Sequence, residues 1–306
     1  MPNNNISYKG RPIIFGEVLF DQFSKSRTIL GGAPFNVAWH LQGFGMDPFF
    51  ISRIGQDRLG KKVLESMNDW DMDIGGIQLD FSYPTGTVQV DIEAEEPRYT
   101  IMPEQAYDYI DASSALEAAG QIEPSVLYHG SLALRNTTSC KAWRELTVNT
   151  GLPIFTDINL RDPWWKLEPV RNILKEARWA KMNHLELAKV IQRNNLKEKN
   201  INAAASKLCD EYNFSLLIIT LGSQGALLTS GDKTWQGEPV PVENIVDTVG
   251  AGDAFSAINI IGIIHGWEPP VILERSLEFA SQILKIRGAT TDNISLYNDF
   301  TRRWKM

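Results

Sequence analysis

Short β-rich apolar runs alternate with helical patterns along most of this chain. PIIFGEVLFD (12–21), PFFISRIG (48–55), SVLYHG (125–130), PIFTDI (153–158) and FSLLIIT (214–220) have the length and near-continuous apolar character of strands buried on both faces. Between them PFNVAWHLQGFG, RLGKKVLESMNDW, LEPVRNILKEA and NHLELAKVIQRNN carry apolar residues at helical spacing. A chain that alternates in this way buries both kinds of element by building a mostly parallel sheet with helices on each face. The expected fold is therefore a three-layer α/β/α sandwich, with ligands bound outside the carboxyl ends of the strands. At 306 residues and 43% hydrophobic content, residues 1–306 have apolar material for one large α/β domain.

One stretch breaks the pattern. TGTVQVDIEAEEPRYTIM (85–102) alternates apolar and polar residues through Val88, Val90 and Ile92, then Tyr99 and Ile101. Period-two alternation predicts a half-exposed antiparallel hairpin projecting from the sheet. It reads either as an edge decoration or as a lid that excludes water from a site.

The charge balance narrows the partners. A net charge of −7 argues against nucleic acid, whose phosphates select basic surfaces, while leaving room for an anionic ligand at a locally positive site. Cys140 and Cys209 are far apart and fit reduced thiols in a cytoplasmic protein. His40, His129, His184 and His265 show no metal-binding spacing. The opening MPNNNISYKG does not read as a secretory signal, and no apolar run reaches the roughly 18 residues of a membrane span.

DTVGAGDAF (247–255) is the chemically loaded stretch. If Gly250, Ala251 and Gly252 turn into a helix, their N–H groups point outward unpaired, at a helix end with roughly half a positive charge. Glycine leaves no Cβ in the way, so the turn can cradle an anion. Asp253 stands at the mouth of that cradle, where its charge would repel the anion. It is either a general base for a neighbouring hydroxyl or a plain helix cap. Two lookalikes fail on detail. GQDRLGKK (55–62) has Lys62 where a P-loop needs a magnesium-binding hydroxyl, and its Asp57 suits a helix cap. GAGDAF lacks the last small residue of a dinucleotide-binding fingerprint.

Seven segments, in order, resemble the ribokinase-like carbohydrate kinases, also called the phosphofructokinase B family. GEVLFD (16–21) is similar to its first strand and GGAPFNVAWHLQGFG (31–45) to its first signature. RIGQDRLG (53–60), KMNHLE (181–186) and ITLGSQGALL (219–228) resemble its GxDxxG, NxxE and TxGxxG segments. DTVGAGDAF is similar to its second signature, and RGAT (287–290) to a loop on its nucleotide side. The resemblance implies an ATP-dependent kinase with a small β lid, formed approximately by 12–30 and 84–103. It implies that Asp253 is the general base and that Gly250, Ala251 and Gly252 form the anion hole. Asp21, Gly31, Gly32 and Asn36 would contact the sugar. Asn183 and Glu186 would hold the magnesium–phosphate water shell, with Glu186 reaching Mg2+ through water. Thr220, Gly222, Gly225, Ser281 and Gly288 would border the nucleotide. Potassium near Asp247 and a homodimer through the lid belong to the same set of expectations.

The acceptor is narrowed by three details. Ala33 and Pro34 after the double glycine resemble fructokinase members rather than ribokinases, which usually carry Lys-Gly there. DINLRDPWW (157–165) resembles a segment shared by fructokinases and 2-keto-3-deoxygluconate kinases, which places Arg161 near substrate or phosphate. RYTIMPEQAYDY (98–109) departs from the more aromatic and basic lid of fructokinases. Fructose is the expected acceptor. The alternatives are 2-keto-3-deoxygluconate, ribose, a nucleoside, and a non-catalytic sugar- or nucleotide-binding regulator.

Overall fold

A computed structural model describes residues 8–23, 27–91, 98–193, 196 and 200–306. The first half of the chain runs β1 (Arg11–Phe15), β2 (Leu19–Gln22), β3 (Thr28–Gly31), α1 (Ala33–Gly43), β4 (Phe49–Gly55), α2 (Arg58–Asp69), β5 (Ile77–Asp80), β6 (Gly86–Asp91), β7 (Arg98–Ile101), α3 (Ala112–Ala119), β8 (Pro124–His129) and α4 (Thr137–Thr150). The second half runs β9 (Ile154–Asp157), α5 (Leu167–Glu176), β10 (Trp179–Asn183), α6 (His184–Val190), α7 (Ile201–Tyr212), β11 (Leu216–Thr220), β12 (Ala226–Ser230), β13 (Lys233–Gly237), α8 (Ala251–Ile264), α9 (Pro269–Ile283) and α10 (Ile294–Trp304).

Nine strands form the central sheet in the order β13-β12-β11-β10-β9-β8-β1-β4-β5. The seven from β11 to β5 pair in parallel, and the β11–β12 and β12–β13 pairs are antiparallel. The layered α/β/α expectation therefore holds. The sheet's middle strands carry fully buried residues on both faces, among them Ile13, Ile14, Phe50, Leu127, Ile218 and Ile219. Such side chains each stabilise the fold by roughly 1.5–3 kcal/mol. Helix α8 packs on α1 and α9 and is buried without interruption from Ala254 to Ile263, which explains its all-round apolar sequence.

A second sheet of four strands, β3-β2-β6-β7, stands apart from the first. Its β6 and β7 pair antiparallel, Val88 opposite Ile101 and Val90 opposite Tyr99, as the alternation predicts. Val88 and Val90 are buried, whereas Tyr99 on the edge strand is 54% exposed.

PIIFGEVLFD departs from its expectation. It is not one strand: residues 11–15 belong to the central sheet and 19–22 to the small one, with a break at Gly16–Val18. The small sheet thus excludes residues 12–15, which the sequence had assigned to the lid. Both halves are apolar because both are buried, so hydropathy alone cannot show the change of sheet. Lid residues 24–26 and 92–97 lie outside the described residues. The helix expected over NHLELAKVIQRNN ends at Val190, and its final Asn194 and Asn195 are outside them too.

Asp57 caps α2 by accepting the Gly60 N–H at 2.8 Å, as the failed P-loop match suggested. It also accepts from the Thr85 N–H and hydroxyl, so it fastens the start of the β6–β7 hairpin to the core. His40 and His129 are core residues whose burial lowers their pKa to about 4. Cys140 and Cys209 are free thiols. Among the described residues no helix is long and apolar enough to cross a membrane.

Candidate active site

The turn at the second signature takes the conformation its glycines allow. Gly250 caps α8 with φ 81°, and a Cβ there would stand 2.3 Å from the Ala289 Cα. Both the left-handed backbone and the close approach of the 287–290 loop exclude a side chain. His40 holds that loop from below through the Ala289 carbonyl at 3.0 Å. Asp253 is the third residue of α8, within its first turn.

Across the crevice, the double glycine ends β3 and opens α1. Gly31 is the last residue of β3 and Gly32 the cap of α1, with φ 109°. A Cβ on Gly32 would lie 2.7 Å from the Glu17 carbonyl, so the α1 start can sit on the break after β1 only with glycine there. Asn36, in the first turn of α1, donates its amide to Asp253 Oδ2 at 2.7 Å across 217 residues of sequence. Its Oδ1 is buried without a partner, as is Glu17 Oε2. Both acceptors lie out of contact with solvent, so neither is itself a surface offered to a ligand.

Asp253 has its pKa pushed up to about 6, chiefly because burial disfavours the charged carboxylate. The Asn36 hydrogen bond and the Lys181 and Arg161 charges act against that shift, and Asp157 reinforces it. Burial also drives Glu17 up to about 7 and raises Asp21. The Arg161 charge pulls all three carboxyls down, so this exposed residue lies within electrostatic reach of each. Asp253, Asp21, Asn36, Gly31, Gly32 and Arg161 are thereby brought to one end of the sheet, around the mouth of α8.

The nucleotide-side residues are placed less uniformly. Asn183 caps α6, its Oδ1 accepting from the Leu185 and Glu186 N–H groups. Glu186 completes a capping box by accepting the Asn183 N–H at 2.8 Å, and its other oxygen accepts the Leu160 N–H at 2.7 Å. The carboxylate is thus fixed by backbone and buried. Thr220 ends β11, and Gly222 and Gly225 form the turn into β12, both with positive φ. Gly288 donates its N–H to Asp247 at 3.0 Å, tying the 247 and 288 loops together. Ser281 spends its hydroxyl on the Glu278 carbonyl of its own helix and is 3% exposed, so it offers no side-chain atom to a ligand.

Sequence reasoning missed a buried pair directly below the Gly250–Gly252 turn. Lys181, on β10, donates to Asp157, at the end of β9, at 2.6 Å, and both side chains are buried. Ser256 of α8 donates to the same Asp157 oxygen at 2.8 Å. The Lys181 ammonium lies 3.7 Å from where a Gly252 Cβ would stand, so a full positive charge backs the bare turn. The available signal was the lysine inside an otherwise apolar strand, which cannot be buried without a carboxylate partner.

A parallel α/β sheet whose crevice joins a bare helix N-terminus, a buried cation and a desolvated carboxylate defines a group-transfer enzyme acting on an anionic donor and a hydroxyl acceptor. The comparisons agree. The pfkB family carbohydrate kinase model matches residues 13–295, and the chain belongs to that family. It is a sugar kinase. A fructokinase of Klebsiella pneumoniae is 31% identical over 252 residues, covering 77% of this chain and 78% of that protein. A ribokinase of Arabidopsis thaliana is 25% identical over 274 residues, covering 86% and 69%. The fold matches a Vibrio cholerae fructokinase bound to fructose, ADP and potassium with TM-score 0.77 and 21% identity, over 96% of this chain and 99% of that one.

Proposed function

We propose that the chain transfers the γ-phosphoryl group of ATP to a primary hydroxyl of a neutral ketose, fructose first among them. The observation that carries this reading is the Asp253–Asn36 pair at the first turn of α8, beside the bare glycine turn. Asp21 and Asp253 present acceptors, which suits hydroxyl donors. The clustering of the Asp253, Asp21 and Glu17 carboxyls supports a neutral sugar over 2-keto-3-deoxygluconate, with the Arg161 charge acting the other way. The fructokinase relative and the Ala33–Pro34 pair support fructose over ribose.

In this reading Asp253 takes the hydroxyl proton as the oxygen attacks in line. The N–H groups of Gly250, Ala251 and Gly252 receive the phosphoryl oxygens, with the Lys181 charge behind them. Magnesium on the ATP phosphates, held through water by Glu186 with Asn183 alongside, would neutralise charge on the transferred group. Asp247 bridges the loops where a potassium ion would sit. The same reading makes the lid a dimer contact, with the exposed edge strand β7 as the pairing strand.

A coupled ADP-release assay across fructose, ribose, 2-keto-3-deoxygluconate and adenosine tests the acceptor. Fructose is expected to give the highest kcat/KM. Its failure beside strong turnover of another acceptor overturns the assignment. The pH profile tests the base. Because Asp253 must be ionised to accept a proton, kcat/KM should fall on the acid side with a midpoint near pH 6. The limb should persist in Glu17→Gln, and its disappearance there would assign it to Glu17 instead.

A further inference from the structure

On the face between α4 and α5 lies a cavity of about 730 Å³ that shares no lining residue with the site above. Its size suits a small molecule. Apolar groups line it, including Leu134, Val170 and Ile173, with Trp164 and Trp165 from the loop that follows β9. Four cations border it, Arg135, Arg144, Lys166 and Lys175, against one carboxylate, Glu176, in a chain whose net charge is −7. Two of its buried donors have no partner: Trp143 Nε1 and Arg135 Nη1.

Arg135 is the informative residue. Its side chain is 5% exposed, and the guanidinium lies 4.2 Å over the Trp164 ring. Nε and Nη2 are taken by Asp108 at 2.7 Å, and Nη2 also donates to the Met102 carbonyl at the foot of the lid strand β7. Nη1 alone remains open. Trp164, in turn, donates its backbone N–H to the Arg161 carbonyl at 2.7 Å. One wall of the cavity is thus joined to the lid, and the other to the loop that carries Arg161.

The geometry points to this cavity as an effector site for a small anion with an aromatic or aliphatic body, whose occupation alters sugar affinity through the 158–166 loop and the lid. Apolar walls take the body, while the bordering cations Arg144, Lys166 and Lys175 take the charge. The link to sugar affinity rests on the sugar-kinase reading above; the binding site itself does not.

The test uses 8-anilinonaphthalene-1-sulfonate as the probe, on enzyme saturated with ADP and fructose so that the first site is filled. Cys140 lines the cavity, while the second cysteine, Cys209, is 2% exposed, so alkylation by monobromobimane reports on this site. One equivalent of probe should bind, slow Cys140 labelling and shift the sugar KM. Reversing two exposed charges, Arg144→Glu with Lys175→Glu, should weaken the probe by about tenfold or more while melting temperature and basal kcat stay unchanged. Displacement of the probe by ADP, unprotected Cys140, or unchanged affinity in the double variant would each overturn the site. A probe that binds and protects Cys140 yet leaves the sugar KM unmoved would overturn the effector role.

Discussion

Asp253→Asn is expected to lower kcat by about 10²–10⁴-fold, the range general-base catalysis supplies, while the sugar dissociation constant changes little. The amide keeps the shape, and a flip of Asn36 can restore a hydrogen bond to it, but it cannot accept a proton. Steady-state ADP release and calorimetric sugar titration read the two quantities separately, and full activity in the variant would reject the mechanism. Stability should move the other way. The folded pKa, about 6, lies above the unfolded value, so the contribution of this group to stability is greatest below about pH 4 and is lost as pH rises through 6. At pH 8 the wild type holds a desolvated charge that the amide removes. The variant should therefore gain roughly 1–3 kcal/mol at pH 8, a gain that shrinks as pH falls toward 4. Thermal melts at the two pH values check this, and equal gains at both would contradict the burial argument.

Lys181→Met should be the most damaging single change outside the two signatures. It leaves Asp157 buried with only the Ser256 hydroxyl for company, a loss of about 3–5 kcal/mol when one partner of a buried ion pair is removed. It also removes the positive charge behind the Gly252 turn, so kcat should fall as well. The companion Asp157→Asn with Lys181→Met separates these effects. Removing both charges should restore most of the stability measured by urea unfolding, yet not the rate. Recovery of both in the double variant would make Lys181 a purely structural residue.

The layered sheet was legible because burial on both faces leaves an imprint: β1, β4, β8, β9 and β11 each fall within a mostly apolar segment, whereas β5 and β10 do not stand out. β10, Trp179–Asn183, was hidden by Lys181, since a strand containing a central lysine looks solvent-facing until its carboxylate partner is known. The lid hairpin was legible from alternation, whereas the break at Gly16–Val18 was not, because both flanking segments are apolar. Within the site, Asp253 and the glycine turn stood out by chemistry. Glu17 did not, because it looks like a surface residue beside a glycine and becomes unusual only when the double glycine of α1 closes over it.

Periodicity, glycine spacing and the placement of one acid after bare backbone were enough to predict a parallel α/β sandwich with a bare glycine turn opening a helix, since these depend on neighbours a few residues apart. The tertiary structure alone brought Asn36 onto Asp253 and closed Lys181 on Asp157 beneath the turn. Those contacts join segments 24 to 217 residues apart, and the carboxylate's proton affinity follows from how completely they exclude water, which no local pattern encodes.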